Sequence, residues 1–422
     1  MKILVSCIPD PLNYGNAMMA INLIERLGQV DPTAEFYVDV NTDEGLDRLK
    51  RSLTVDRVFR TDVEYRLFRH APIRFLKGVS YVKGLRSYCK EVGSKFDAVM
   101  FVGGDDLSEG YSKSYALLTM TKISCLARRI PVFLVGQSIG PFTSIRHRLG
   151  GVLLRDAWIY ARDPVTYEYL SSELRLSRVF LRADLAFLDL PRQEEVDKNA
   201  LFRRLGIPWS DYITVVPSGY IKMYSRNRKA YVQGWVEIIY ELLGHEALAG
   251  RPLVLLPHVL KKDVDDRVLI GAIMNEVDRD SRERVWAIER EILPREARAL
   301  LGWGYMTITG RMHAAISTFQ RGKPAISLSY SPKYRGVIAE GMGLPELVIE
   351  CGDTAAWSSG KIVSEIGNRV RAVGEDYMSF VERVQQAVWG AQQSVEIMLS
   401  DIMSRVGIAK ADAVWRAASA GT

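Results

Sequence analysis

The stretch Tyr305–Arg335, YMTITGRMHAAISTFQRGKPAISLSYSPKYR, decides how the rest of the chain is read. Tyr305 to Thr309 is a short apolar run of β-formers closed by Gly310, and Ala325 to Tyr330 is a second one ending at Ser331 and Pro332. Between them His313 to Gln320 has helical spacing, stopped by Gly322 and Pro324. Two strands joined by one short helix are most simply parallel, with a right-handed crossover. Side chains just past the carboxyl ends of parallel strands face the crevice where α/β folds bind ligands. Arg311 and His313 follow the first strand and Lys333 the second, so cationic and proton-carrying groups converge on one rim beside a helix N-terminus. The expectation is an anion site that contains an acid or base. Each of these residues alone would be read as a rim charge or a structural imidazole; it is their joint placement that carries the reading.

The same alternation of strand and helix extends outward in both directions. Strand-like runs at Lys2–Cys7, Ala34–Val40, Thr54–Arg60, Phe96–Val102, Val132–Val135, Trp158–Ala161 and Arg178–Leu181 are separated by helical segments such as Ala17–Leu27, Ser114–Arg129 and Pro164–Glu173. The pattern resumes with strands at Tyr212–Val216, Leu253–Leu256 and Arg284–Ile288 and a helix at Lys229–Leu248. The expected fold class is α/β, with two Rossmann-like domains facing across a cleft. The domains are read as 1–190 and 211–375, with a polar, Pro-bracketed linker at 191–210. A helical segment, 376–422, is expected to pack back across both. Its stripe of Phe380, Val381, Val384, Val388, Ala391, Val395, Met398, Leu399 and Ile402 recurs at three- and four-residue intervals, as core packing requires.

A chain of 422 residues exceeds what one compact core holds, and 48% hydrophobic with 25% charged residues is ordinary for a globular protein. No run approaches the roughly 18 apolar residues of a membrane span, and Met1–Cys7 reads as a first strand, not a signal peptide. Cys7, Cys89, Cys125 and Cys351 are scattered, which suggests neither zinc nor a disulfide framework and suits a reducing cytoplasm. The net charge of +6 suits anionic small molecules, an acidic membrane surface or nucleic acid alike. Seven Lys or Arg and no acid fall within Arg66–Lys90, interleaved with Phe68, Phe75, Tyr81 and Tyr88. That composition fits peripheral contact with an anionic membrane through residues 66–90, or equally a solvated helical face; nucleic acid is the weaker match.

Three loops of the first half follow strands and combine glycine with polar residues: Asn13-Tyr14-Gly15-Asn16, Gly103-Gly104-Asp105-Asp106 and Gly136–Phe142 (GQSIGPF). None is a dinucleotide or Walker loop. Asp105 and Asp106 read either as a general base or as caps of the next helix, with capping favoured on residue type. Asp163 and Pro164 read as the N-cap and first position of a helix just after Arg162. His258 with Asp263, Asp265 and Asp266 falls short of a metal site, so none is expected.

These pieces, GGDDLS (103–108), GQSIGPF (136–142), ARDP (161–164), ADLAF (183–187), GRMHA (310–314) and SYSPK (329–333), resemble the polysaccharide pyruvyl transferase family, in the family's order. The chain carries Asn16 where many members carry Asp, which removes an acid from that loop. The resemblance implies a GT-B-like domain pair. It also implies transfer of the enolpyruvyl unit of phosphoenolpyruvate onto two hydroxyls of a sugar, giving a cyclic ketal and phosphate, with no cofactor. By motif match Arg162, His313 and Lys333 are expected at phosphoenolpyruvate, with Arg311 adjacent and His313 as general acid. Acceptor-side candidates are Asn13, Gly15, Asn16, Gly104, Asp105, Asp106 and His258, facing a sugar or glycan that is free, polymeric or lipid-linked. A GT-B glycosyltransferase using a nucleotide sugar and a non-catalytic glycan-binding member are the competing readings.

Overall fold

A computed structural model describes residues 1–8, 10–63, 77–110 and 112–419, with side chains placed except for 77–83 and 408–419. The chain forms two units. The first comprises Met1–Pro11, Met19–Leu185 and Gln393–Thr422, and the second Leu12–Met18 and Ala186–Gln392.

The first unit holds a seven-stranded parallel sheet. Its strands are β1 (Lys2–Ser6), β2 (Glu35–Val38), β3 (Val58–Arg60), β4 (Ala98–Val102), β5 (Val132–Gln137), β6 (Trp158–Ala161) and β7 (Val179–Leu181), ordered β3-β2-β1-β4-β5-β6-β7. Every residue of β4 and β5 is buried, as expected for strands covered on both faces, and their hydrophobic sequences read that way. The strand expected at Thr54–Arg60 begins only at Val58, because the Thr54 amide donates instead to Glu25 Oε2 at 2.9 Å.

The second unit holds a six-stranded parallel sheet of β8 (Ile213–Val216), β9 (Leu253–Leu255), β10 (Val285–Ala287), β11 (Thr307–Thr309), β12 (Ala325–Ser329) and β13 (Val348–Glu350), ordered β10-β9-β8-β11-β12-β13. The strand–helix–strand unit of the opening stretch is β11, the helix Met312–Gln320 and β12, paired in parallel with Ile308 beside Ile326. The segment read as a linker, 191–210, is instead folded into the second unit. Gln193–Glu195 is a 3₁₀ turn, and Asp197 caps the helix Lys198–Leu205 by accepting from the Ala200 amide. Its polarity reflects an exposed helix face rather than a tether.

The helix Tyr377–Ser419 runs for 43 residues. Its buried Phe380, Val381, Val384 and Val388 belong to the second unit and its buried Val395, Met398, Leu399, Ile402 and Val406 to the first. Asp401 accepts a 2.7 Å hydrogen bond from Tyr160, and the Arg405 guanidinium lies 3.7 Å from the Trp158 ring centre. Among the described residues no helix is long and apolar enough to cross a membrane. The basic stretch Arg66–Lys90 lies outside the described residues as far as Leu76, and Phe68 and Phe75 with it. Of its aromatics, Tyr88 is buried in the first unit's core beside Leu85 and Cys89, and is not a surface anchor.

Candidate active site

In the second unit the chain turns away from β8 toward β9 on one side and arrives at β11 on the other, so the crevice of this sheet opens between β8 and β11. Gly310, Arg311 and His313 sit at its β11 edge, Ser218 and Gly219 at its β8 edge, and His258 after β9. The Gly310 carbonyl is fixed from below: Tyr334 donates to it at 2.7 Å, and the buried Tyr224 hydroxyl lies 2.6 Å from it and 2.9 Å from the Leu328 carbonyl. Thr309 then bonds the Arg311 amide at 2.8 Å, which sets the entry of the helix that carries His313. The helix opens on Arg311 with no side-chain cap.

Arg311 is not a lone cation. Its Nη2 donates to Asp266 Oδ1 at 2.6 Å and its Nε to the same carboxylate at 3.2 and 3.3 Å. Burial alone would lower the pKa of this guanidinium, but the Asp266 carboxylate more than offsets it, so the group stays charged. Lys333 is half-buried; its Nζ donates to the Tyr330 hydroxyl at 2.7 Å and lies 4.8 Å from that ring's centre. His258 is 1% exposed, and its Nε2 has no hydrogen-bond partner among the described residues. Burial, and then the neighbouring His313, Arg311 and Arg298, hold the His258 imidazole well below the usual histidine range, so it is neutral.

The loop expected on the acceptor side of the first domain is part of this second unit. Asn13 bridges to Val259, the Tyr14 amide donates to the His258 carbonyl at 3.2 Å, and the Tyr14 ring meets His258 edge-on at 5.4 Å. A Cβ on Gly15 would stand 2.2 Å from His313 Nδ1, so only glycine lets the loop lie against this imidazole. Asn16 lies on the same turn, its amide 3.4 Å from Asn13 Oδ1. Asn13, Gly15, Asn16 and His258 therefore group with His313 and not with Gly104, Asp105 and Asp106.

Arg162, Gly104, Asp105 and Asp106 lie in the first unit. Arg162 follows β6 and its side chain is fully buried, not on a solvated rim. Its Nη1 donates to Asp184 at 2.7 Å and its Nε to Ser138 Oγ at 2.9 Å. Nη2 has no partner among the described residues and lies near Gly104. Burial lowers this pKa too, but Asp184, then Asp105 and Asp163, more than offset it. Asp163 caps the following helix through Thr166, with Pro164 at its first turn, as the sequence implies. Neither Asp105 nor Asp106 is a helix cap: that role in the helix Lys113–Ala127 belongs to Ser112. Among the described residues no group of three or more His, Cys, Asp or Glu could hold a metal ion.

Two parallel sheets in Rossmann strand order, each with polar loops at its carboxyl edge, define a two-unit α/β architecture. The polysaccharide pyruvyl transferase family pattern matches residues 13–332, and the chain belongs to that family. It is 24% identical to the amylovoran biosynthesis protein AmsJ of Erwinia amylovora, over 95% of each chain. Among solved structures it is similar to the UDP-GlcNAc 2-epimerase of Neisseria meningitidis (TM-score 0.59, 15% identity, 96% of this chain and 100% of that one). The UDP-GlcNAc 2-epimerase of Methanocaldococcus jannaschii is also similar (TM-score 0.52, 13% identity, 85% of this chain and 90% of that one). At these identities the likeness concerns the fold. The family makes the chain a transferase and implies a polysaccharide acceptor.

Asp266, which in the sequence stands with Asp263 and Asp265 near His258, is the buried partner of Arg311, 45 residues away. Nothing local in the sequence signals that pairing.

Proposed function

We propose that the protein transfers the enolpyruvyl unit of phosphoenolpyruvate onto two hydroxyls of one sugar in a polysaccharide or its precursor, forming a cyclic pyruvate ketal and releasing phosphate. The observation that carries this is the β11 edge, where His313 and an Asp266-held Arg311 flank the opening of one helix within a single loop. Phosphoenolpyruvate offers a carboxylate and a phosphate of about −1.5 to −2 near neutrality, which suits a guanidinium and an ammonium together. In this reading protonated His313 gives its proton to C3, turning the methylene into a methyl and leaving C2 with oxocarbenium character. One sugar hydroxyl adds to C2, and its proton returns to the imidazole. The C2–O bond to phosphate then breaks, the second hydroxyl closes the ketal, and its proton leaves with phosphate. Arg311 and Lys333 bind the anion and stabilise the departing phosphate. The acceptor side is assigned to Gly104, Asp105 and Asp106.

The test is phosphate release from phosphoenolpyruvate with a panel of sugar acceptors, the product checked by its ketal methyl resonance. His313→Ala should lower turnover by about 10² to 10⁴. Near-normal turnover in that variant, or calorimetric binding of uridine diphosphate in place of phosphoenolpyruvate, would overturn the reading.

A further inference from the structure

Asp266 is fully buried at the first turn of the helix Asp266–Glu276 and touches three loops at once. Its Oδ1 accepts from the Gly219 amide at 2.7 Å, and its Oδ2 accepts from the amides of His258 at 3.0 Å and Val259 at 2.8 Å. Both oxygens also take the Nε and Nη2 edge of Arg311. Gly219 follows β8, His258 follows β9 and Arg311 follows β11, so one carboxylate joins the ends of three adjacent strands. The Nε–Nη2 side of the guanidinium is thereby occupied and Nη2 also donates to the Val264 carbonyl at 3.3 Å, so Nη1, which makes no hydrogen bond among the described residues, is the group left for an anion. A planar fork held by one edge can meet an anion only through the remaining one.

We propose that Asp266 is a positioning residue for anion binding, selecting which edge of Arg311 faces the crevice and setting the spacing of Arg311 from the His258 and Gly219 loops. The proposal rests on the reading of this crevice as the site of an anionic donor. Asp266→Asn keeps the shape but must place an NH₂ against donors in either orientation, at the Gly219 amide and Arg311 or at the His258 and Val259 amides. The guanidinium loses its fixed edge.

The experiment is a double-substitution cycle on the full chain, using Asp266→Asn and Arg311→Lys, with calorimetric binding of inorganic phosphate and of phosphoenolpyruvate. Asp266→Asn alone should weaken binding of both by tenfold or more. In the turnover assay KM for phosphoenolpyruvate should rise more than kcat falls, a split that general destabilisation would not produce. In the Arg311→Lys background, where no planar fork remains to orient, the same change should alter affinity less than twofold. Independent, multiplicative effects would overturn the proposal. If Asp266→Asn does not fold, as judged by thermal melting, Asp266→Glu takes its place in the cycle with the same expected coupling. Wild-type binding of phosphate without phosphoenolpyruvate would sink the proposed reaction and leave the cycle readable on phosphate. Binding of neither would overturn both.

Discussion

Arg162 and Lys333 were read alike from the sequence, as cations past strand ends, yet their surroundings separate them. Arg162 and Asp184 form an ion pair with both side chains fully buried, so removing one charge strands the other in a low-dielectric interior. Arg162→Ala should destabilise the first unit by about 3–5 kcal/mol in urea titrations. Lys333→Ala, at a half-buried side chain, should stay within about 1 kcal/mol of the wild type. Equal stability for the two variants would contradict the burial argument. His258 makes a second prediction. Its folded pKa is lowered by burial, so below about 6.5 the unfolded chain binds a proton that the folded chain refuses. Its contribution is intact above that pH and declines by up to about 1.4 kcal/mol per pH unit as pH falls from 6.5 toward the folded value. Thermal melts between pH 7.5 and 5 should show this acid slope, and His258→Asn should flatten it. The residue types of the candidate site stand out in the sequence because Arg, His and Lys fall at strand ends. The buried carboxylates Asp266 and Asp184, which decide how the arginines point, were not, since their partners lie 45 and 22 residues away.

At the scale of elements, what the sequence revealed were the fully buried strands and their alternation with helices, because continuous apolar runs bounded by Gly, Pro or Ser leave few alternatives. Short edge strands were another matter: β13 has three residues and its Glu350 is exposed, so it left no periodic trace. The helix expected over Lys229–Leu248 ends at Gly244 and resumes as a 3₁₀ turn after His245, whose extended backbone (ψ 122°) breaks it. The long C-terminal helix was visible through its stripe, and that stripe yields a prediction. Met398 and Ile402 are fully buried in the first unit, whereas Trp389 is 66% exposed. Met398→Ala or Ile402→Ala should each cost about 2–5 kcal/mol, read as an earlier transition in chemical denaturation. Trp389→Ala should change stability by no more than about 0.5 kcal/mol. A Trp389 variant as unstable as the core pair would mean the stripe has been assigned to the wrong face.

For the whole molecule, each unit carries its own sheet with an equivalent strand order and its own polar loops at the carboxyl edge, so kinetic roles can be divided between them by substitution. The chain does not divide in sequence order. The segment Leu12–Met18, which opens the helix Tyr14–Val30, enters the second unit although it follows β1, and it brings Gly15 against His313. Sequence proximity to β1 therefore misassigned Asn13, Gly15 and Asn16, because tertiary contacts and not chain position decide which unit owns a loop. Under the proposed reaction the donor anion engages Lys333 and Arg311 in the second unit and the acceptor meets the Gly103–Asp106 loop in the first. Asp105 faces Arg162 electrostatically, and Asp106 follows it on the same loop. Lys333→Ala should raise KM for phosphoenolpyruvate about tenfold, the loss of one charged contact of about 1.5 kcal/mol. Asp106→Asn should raise KM for the acceptor while leaving that for phosphoenolpyruvate within about twofold, a change of under 0.5 kcal/mol. Both constants follow from one grid of initial rates with the two substrates varied together. If Asp106→Asn raised KM for phosphoenolpyruvate as far as Lys333→Ala does, the donor would not be confined to the second unit's cations, and the division of labour between the two sheets would have to be redrawn.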